Sequence, residues 1–125
     1  MLCLQTALDH HGLGPRISSL QIARPRGVRP PSIDHARVQV FTMGEAVYLA
    51  GVQEQVVSGT PGRVFSVAKT VADCFRYPGR IGLDTTVDGL REVIRTQRAT
   101  TLEIMYRAQV DRVDSVIGPY LRVLI

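Results

Sequence analysis

The sequence predicts an α+β fold: a small, mostly antiparallel sheet packed with an N-terminal helix and about four C-terminal helices. Three observations lead there. Residues 54–67 carry two β-branched runs, EQVVSG and RVFSV, around Thr60-Pro61-Gly62, a hairpin pattern. Beyond residue 67 apolar residues recur at helical spacing to the C-terminus. The chain has 125 residues, of which 45% are hydrophobic and 21% charged, an ordinary globular composition sized for one domain, 1–125.

The elements follow in order. Residues 2–12 place Leu4, Ala7 and Leu8 on one helical face, with Gly12 as the stop. ISSLQIA (17–23) reads as a short strand. ARPRGVRPPS (23–32) holds three prolines and a glycine, which predicts a loop. VQVFTM (38–43) alternates as a second strand, and the hairpin follows. Ser66 is placed to cap a helix over about 67–77 that buries Val67, Val71, Cys74 and Phe75, with Pro78-Gly79 ending it. Leu83, Val87, Leu90 and Ile94 define the next helix, with Asp84 as its expected cap. Thr100 and Glu103 have capping-box spacing ahead of a stripe of Leu102, Met105, Tyr106, Val110 and Val113. Ser115 is the expected cap of a last helix carrying Val116, Ile117, Tyr120, Leu121 and Leu124. Phe41, Phe65 and Phe75 are expected in the core.

Charge is unevenly spread. The net charge is +4, and residues 15–37 supply nearly all of the excess: Arg16, Arg24, Arg26, Arg29 and Arg37 against Asp34. The prolines at 25, 30 and 31 should hold this segment extended, so that Arg24, Arg26 and Arg29 project into solvent as a positive patch for phosphate contacts. Three to five such contacts would give weak, salt-sensitive binding to DNA. No apolar run approaches the ~18–20 residues of a membrane-crossing helix. Cys3 and Cys74, the two cysteines, form no disulfide framework and suit a reducing, cytoplasmic setting.

Signs of catalysis are sparse. His10 and His11 are adjacent, about 100° apart on a helix, and cannot share a metal as an i, i+4 pair can. Lys69-Thr70 opens a helix after a strand, as in a phosphate loop, but Ala68 stands where that loop needs glycine. Asp84, Asp88 and Glu92 recur every four residues, the solvent face of an amphipathic helix. Lys69, Asp73 and Arg76 share a helical face, expected either as a solvated or half-buried ion-pair row or as a polar patch for a partner. No cofactor signature is present.

Four segments together carry a resemblance. They are TALDHHGL (6–13), IARPRGVRPP (22–31), GTPGRVFSVAKTVADCFRYPGRIGLDTTVDGLREVIR (59–95) and VDSVIGPYLRVL (113–124), with residues 68–84 the most specific. The chain resembles the C-terminal domain of AbiEi-type antitoxins of bacterial type IV toxin–antitoxin (abortive infection) systems. The resemblance implies a non-catalytic antitoxin and transcriptional-regulator domain. It would counter a nucleotidyltransferase-like toxin without a stable complex. The family's N-terminal winged-helix domain, which binds operator DNA, is not expected within this sequence. Pro78-Gly79 departs from the family, where polar or basic residues are expected. Arg24, Arg26, Arg29, Lys69 and Arg76 are the expected DNA or partner contacts. The competing expectation is a small nuclease-like or phosphotransfer enzyme using Lys69 and nearby acids. A cleft holding Lys69 with two carboxylates would favour it; a surface Lys69 paired with Asp73 alone would oppose it.

Overall fold

The structure, a computed structural model, describes residues 1–17, 19–27, 38–57 and 59–124. The order of elements is α1 (Leu4–His10), β1 (Leu20–Pro25), β2 (Val38–Met43), α2 (Glu45–Leu49), β3 (Val52–Val57), β4 (Thr60–Phe65), α3 (Val67–Arg76), α4 (Pro78–Ile81), α5 (Leu83–Arg95), α6 (Thr101–Asp111) and α7 (Asp114–Leu124). The α+β class read from the sequence is the class found, with helices at both ends and a hairpin between.

The strands form two pairs. β1 and β2 run parallel, Leu20 opposite Val38, while β3 and β4 form the antiparallel hairpin. Leu2 joins the pairs, bridging Ile22 on one side and Val64 on the other. Its amide donates to the Arg63 carbonyl (3.1 Å) and its carbonyl accepts from Phe65 (3.3 Å); Cys3 donates to Gln21 (3.2 Å), and Met1 accepts from Ala23 (2.8 Å). Residues 1–3 therefore lie as a strand between β1 and β4, which is why the first helix begins at Leu4 rather than at residue 2.

Other boundaries moved for local reasons. The hairpin turn lies between Val57 and Thr60, with Gly59 at φ +79°, and Pro61 and Gly62 belong to β4. A two-residue turn needs a positive-φ residue, and Gly59 supplies it. Ala23 to Pro25 extend β1 instead of opening the loop. α2 was not expected from the sequence; it is one short turn with no buried residue and no side-chain cap. Pro78 does end α3, but it also starts α4, where its missing N–H costs nothing. Gly82, at φ +92°, precedes α5 where Asp84 was the expected cap; Asp84 lies in the first turn, favourable for the helix dipole. α7 starts at Asp114, so Ser115 lies within it.

The caps at Ser66 and Thr100 form as expected: Ser66 Oγ accepts from the Lys69 amide (3.3 Å) and Thr100 Oγ1 from Glu103 (3.1 Å). One continuous core runs from α1 through the sheet to α3 and on to α5, α6 and α7, and it includes Phe41, Phe65 and Phe75. α3 is its axis. Every residue from Val67 to Phe75 is buried, so the helix is enclosed by neighbours on all sides.

α6 departs from its expected stripe. It buries Ile104, Ala108 and Asp111, while Leu102 is 80% and Tyr106 58% exposed. The cause lies in the polar cluster that α6 shares with α3.

Candidate functional site

Ser66 starts α3 so that Lys69, Thr70 and Asp73 all turn inward. Thr70 satisfies itself locally, its hydroxyl donating to the Phe65 carbonyl (3.3 Å). Lys69 Nζ lies 2.5 Å from Asp73 Oδ1 one turn on, 3.5 Å from Asp111 Oδ1 of α6, and 4.5 Å from the centroid of the Phe65 ring. The three charged side chains have no exposed surface. A solvated or half-buried ion-pair row is thus corrected to a fully enclosed cluster. Backbone makes room for it: a Cβ on Gly51, at φ +71°, would stand 2.7 Å from Lys69 Cβ.

One ammonium facing two carboxylates leaves one negative charge too many for an interior. Three of the four carboxylate oxygens, Asp73 Oδ2 and both of Asp111, accept no hydrogen bond from any donor. Burial pushes the Asp73 carboxyl well above the usual carboxylate range, and its hydrogen bond with Asp111 pushes it further, against the pull of the Lys69 ammonium.

The expected contact residues divide. Arg24 lies in β1, where its Nε donates to Thr42 Oγ1 (2.9 Å), so it is half-buried and held along the sheet rather than projecting from a loop. Arg29 lies outside the described residues, as do His35 and Arg37. Lys69 is enclosed and cannot present its charge to a partner. Arg26 and Arg76 come together. Arg26 follows β1, Arg76 ends α3, and both line a cavity of about 320 Å³ with Arg112, Val47, Val110 and Asp111. None of these three arginines forms an ion pair among the described residues, where the solvent-facing pair is Arg91–Asp88.

Sequence reasoning missed Asp111 and Arg112. Asp111 follows Ile104 and Ala108 at helical spacing, a signal that was available but overridden by the larger side chains of the rival stripe. Arg112 sits past the end of α6 at φ +61°, a left-handed conformation more usual for glycine, and no sequence pattern announces it.

The remaining candidates are engaged structurally. His10 Nε2 pairs with Gln55 Oε1 (2.6 Å) and His11 Nε2 with the Phe65 carbonyl (2.8 Å), tying α1 to the hairpin. Burial pushes the His11 ring below its usual range. Cys3 and Cys74 are free and buried, and burial raises both thiols far above their ordinary range, which keeps them unreactive. Asp84 and Asp88 face solvent, as their spacing predicted, while Glu92 is half-buried and accepts from the Gly14 amide (3.1 Å). Among the described residues no three His, Cys, Asp or Glu side chains group as metal ligands would. No helix among them is long and apolar enough to cross a membrane.

No protein-family model matches this chain, and no curated protein matches it either.

Proposed function

We propose that this chain is a non-catalytic, cytoplasmic antitoxin domain of the AbiEi type, a regulatory module that opposes a nucleotidyltransferase-like toxin without forming a stable complex with it. The supporting observation is the fate of residues 68–84, the most specific part of the resemblance. They build α3 and the turn into α5, the axis on which α1 and α7, from two of the other resembling segments, pack. The polar residues of that segment, Lys69 and Asp73, act in holding the fold together. DNA contact, on this reading, is limited to phosphates met by surface arginines such as Arg26 and Arg76.

The catalytic alternative asks for Lys69 beside two carboxylates, and it finds Asp73 and Asp111 there. It also asks for a substrate to reach Nζ. The side chains of all three residues have no exposed surface, so what weighs against it is access.

The test is co-expression with an adjacent nucleotidyltransferase-type toxin gene, read as growth. Relief of growth arrest is expected. Arrest that persists, both for the chain alone and with a winged-helix domain fused ahead of Met1, overturns the reading.

A further inference from the structure

We infer that the cavity walled by Arg26, Arg76 and Arg112 binds a phosphate monoester, the terminal phosphate of a nucleotide or of a nucleic-acid end. The inference stands apart from the antitoxin reading. Three arginines line it from three elements: the chain after β1, the last turn of α3 and the end of α6. Like charges brought around one cavity repel unless an anion joins them. Among the described residues none of the three arginines pairs with an acid, and the one acid lining the cavity is Asp111. Asp111 borders the cavity, but its side chain is fully enclosed and engaged with Lys69.

Shape and charge select the ligand. Guanidiniums present paired N–H donors that match the oxygens of a phosphate. A phosphomonoester carries about −1.5 to −2 charges at pH 7, against −1 for a backbone diester, and three arginines favour the higher charge. A cavity of about 320 Å³ admits a terminal phosphate and part of the group that bears it, with Val47 and Val110 as apolar wall. A diester within a duplex has a sugar on each side and cannot enter a recess end-on.

Arg112 adds an independent pointer. The fold would be better served by glycine at its φ of +61°. An arginine kept in that conformation, at the cavity mouth, points to work other than capping α6.

The experiment uses the whole chain in low-salt buffer and calorimetric titration with inorganic phosphate, adenosine 5′-monophosphate, adenosine, and a single-stranded oligonucleotide with or without a 5′ phosphate. Phosphate and the monophosphate should bind saturably, more weakly as salt rises, and adenosine should not. Preference for the monophosphate over phosphate marks a nucleotide site; preference for the 5′-phosphorylated oligonucleotide marks a nucleic-acid end. Arg76→Ala should weaken binding about tenfold or more, the value of one charged hydrogen bond. Arg112→Gly should weaken it similarly while the Tm holds or rises, which a purely structural arginine would not do. Absence of saturable binding by phosphate and the monophosphate overturns the site. So does affinity unchanged in both variants, or oligonucleotide binding indifferent to the 5′ phosphate with none by the monophosphate.

Discussion

α5 and α6 are helices of similar length, both packed on α3, and they obey different rules. α5 keeps its acids Asp84 and Asp88 outside and, of its expected stripe, buries Leu90 fully and Val87 and Ile94 partly, with Leu83 exposed and Thr86, Gly89 and Val93 inside instead. α6 turns an aspartate inward and leaves Leu102 and Tyr106 in water. Magnitudes explain the difference. Rotating α6 to bury Leu102 and Tyr106 would gain about 1.5–3 kcal/mol for each. It would also expose Ile104 and Ala108, cancelling much of that gain. Lys69 would keep Asp73, 2.5 Å away on its own helix, and lose the longer approach of Asp111. The inward face of α6 thus carries Ile104 and Ala108 together with the aspartate that meets Lys69.

The comparison can be broken most forcefully at Lys69. Lys69→Met should lose about 3–5 kcal/mol in urea unfolding, because two acids then lack their cation. Replacing the cluster as a set, Lys69→Met with Asp73→Leu and Asp111→Leu, should recover most of that loss. A single variant costing less than about 1 kcal/mol would show that the cluster does not orient α6.

Within α6 itself, Ile104→Ala should cost about 2–4 kcal/mol, whereas Leu102→Ala should stay within about 0.5 kcal/mol. Equal effects by thermal unfolding would mean that α6 presents its other face in solution. Gly51→Ala should cost about 2 kcal/mol, from a left-handed backbone and a clash with Lys69 Cβ.

The smallest effect is a slope. The Asp73 carboxyl is raised in the fold, so the folded state holds a proton that the unfolded chain has released above the ordinary carboxylate range. Its stabilisation is complete below that range and fades as pH rises through the folded value. Stability should therefore decline with rising pH across that window. In Asp73→Asn, which keeps a donor toward Asp111, this part of the slope should vanish in denaturation curves taken at several pH values.

What the sequence revealed depended on the range of the interaction. Ser66 and Thr100 cap from within one turn of chain, so these were legible, while the stripe of α5 was legible only in part, with Leu90 buried and Leu83 exposed. The inward Asp111 was not, because its reason lies about forty residues away at Lys69. Reading Lys69, Asp73 and Arg76 as one helical face was correct about spacing, but spacing says nothing of what covers the face. The cavity arginines were half legible. Arg26 and Arg76 stood out as cations, but only the fold puts them beside Arg112. The parallel pairing of β1 with β2 was likewise hidden, since alternation reports which side chains face inward and not which way a neighbouring strand runs.

The placement of Leu2 bears on how the molecule is assembled. The segment that carries Leu2 sits at the centre of the sheet, and its partners are Ile22 and the later-made Val64. It must wait, unpaired on one side, until residue 64 has emerged. Contacts this distant in sequence make for slow closure and prolong the time for which an open strand edge can meet another chain. α3, the axis of the interior, follows directly after the second partner, so sheet completion and helix docking fall at nearly the same moment of synthesis.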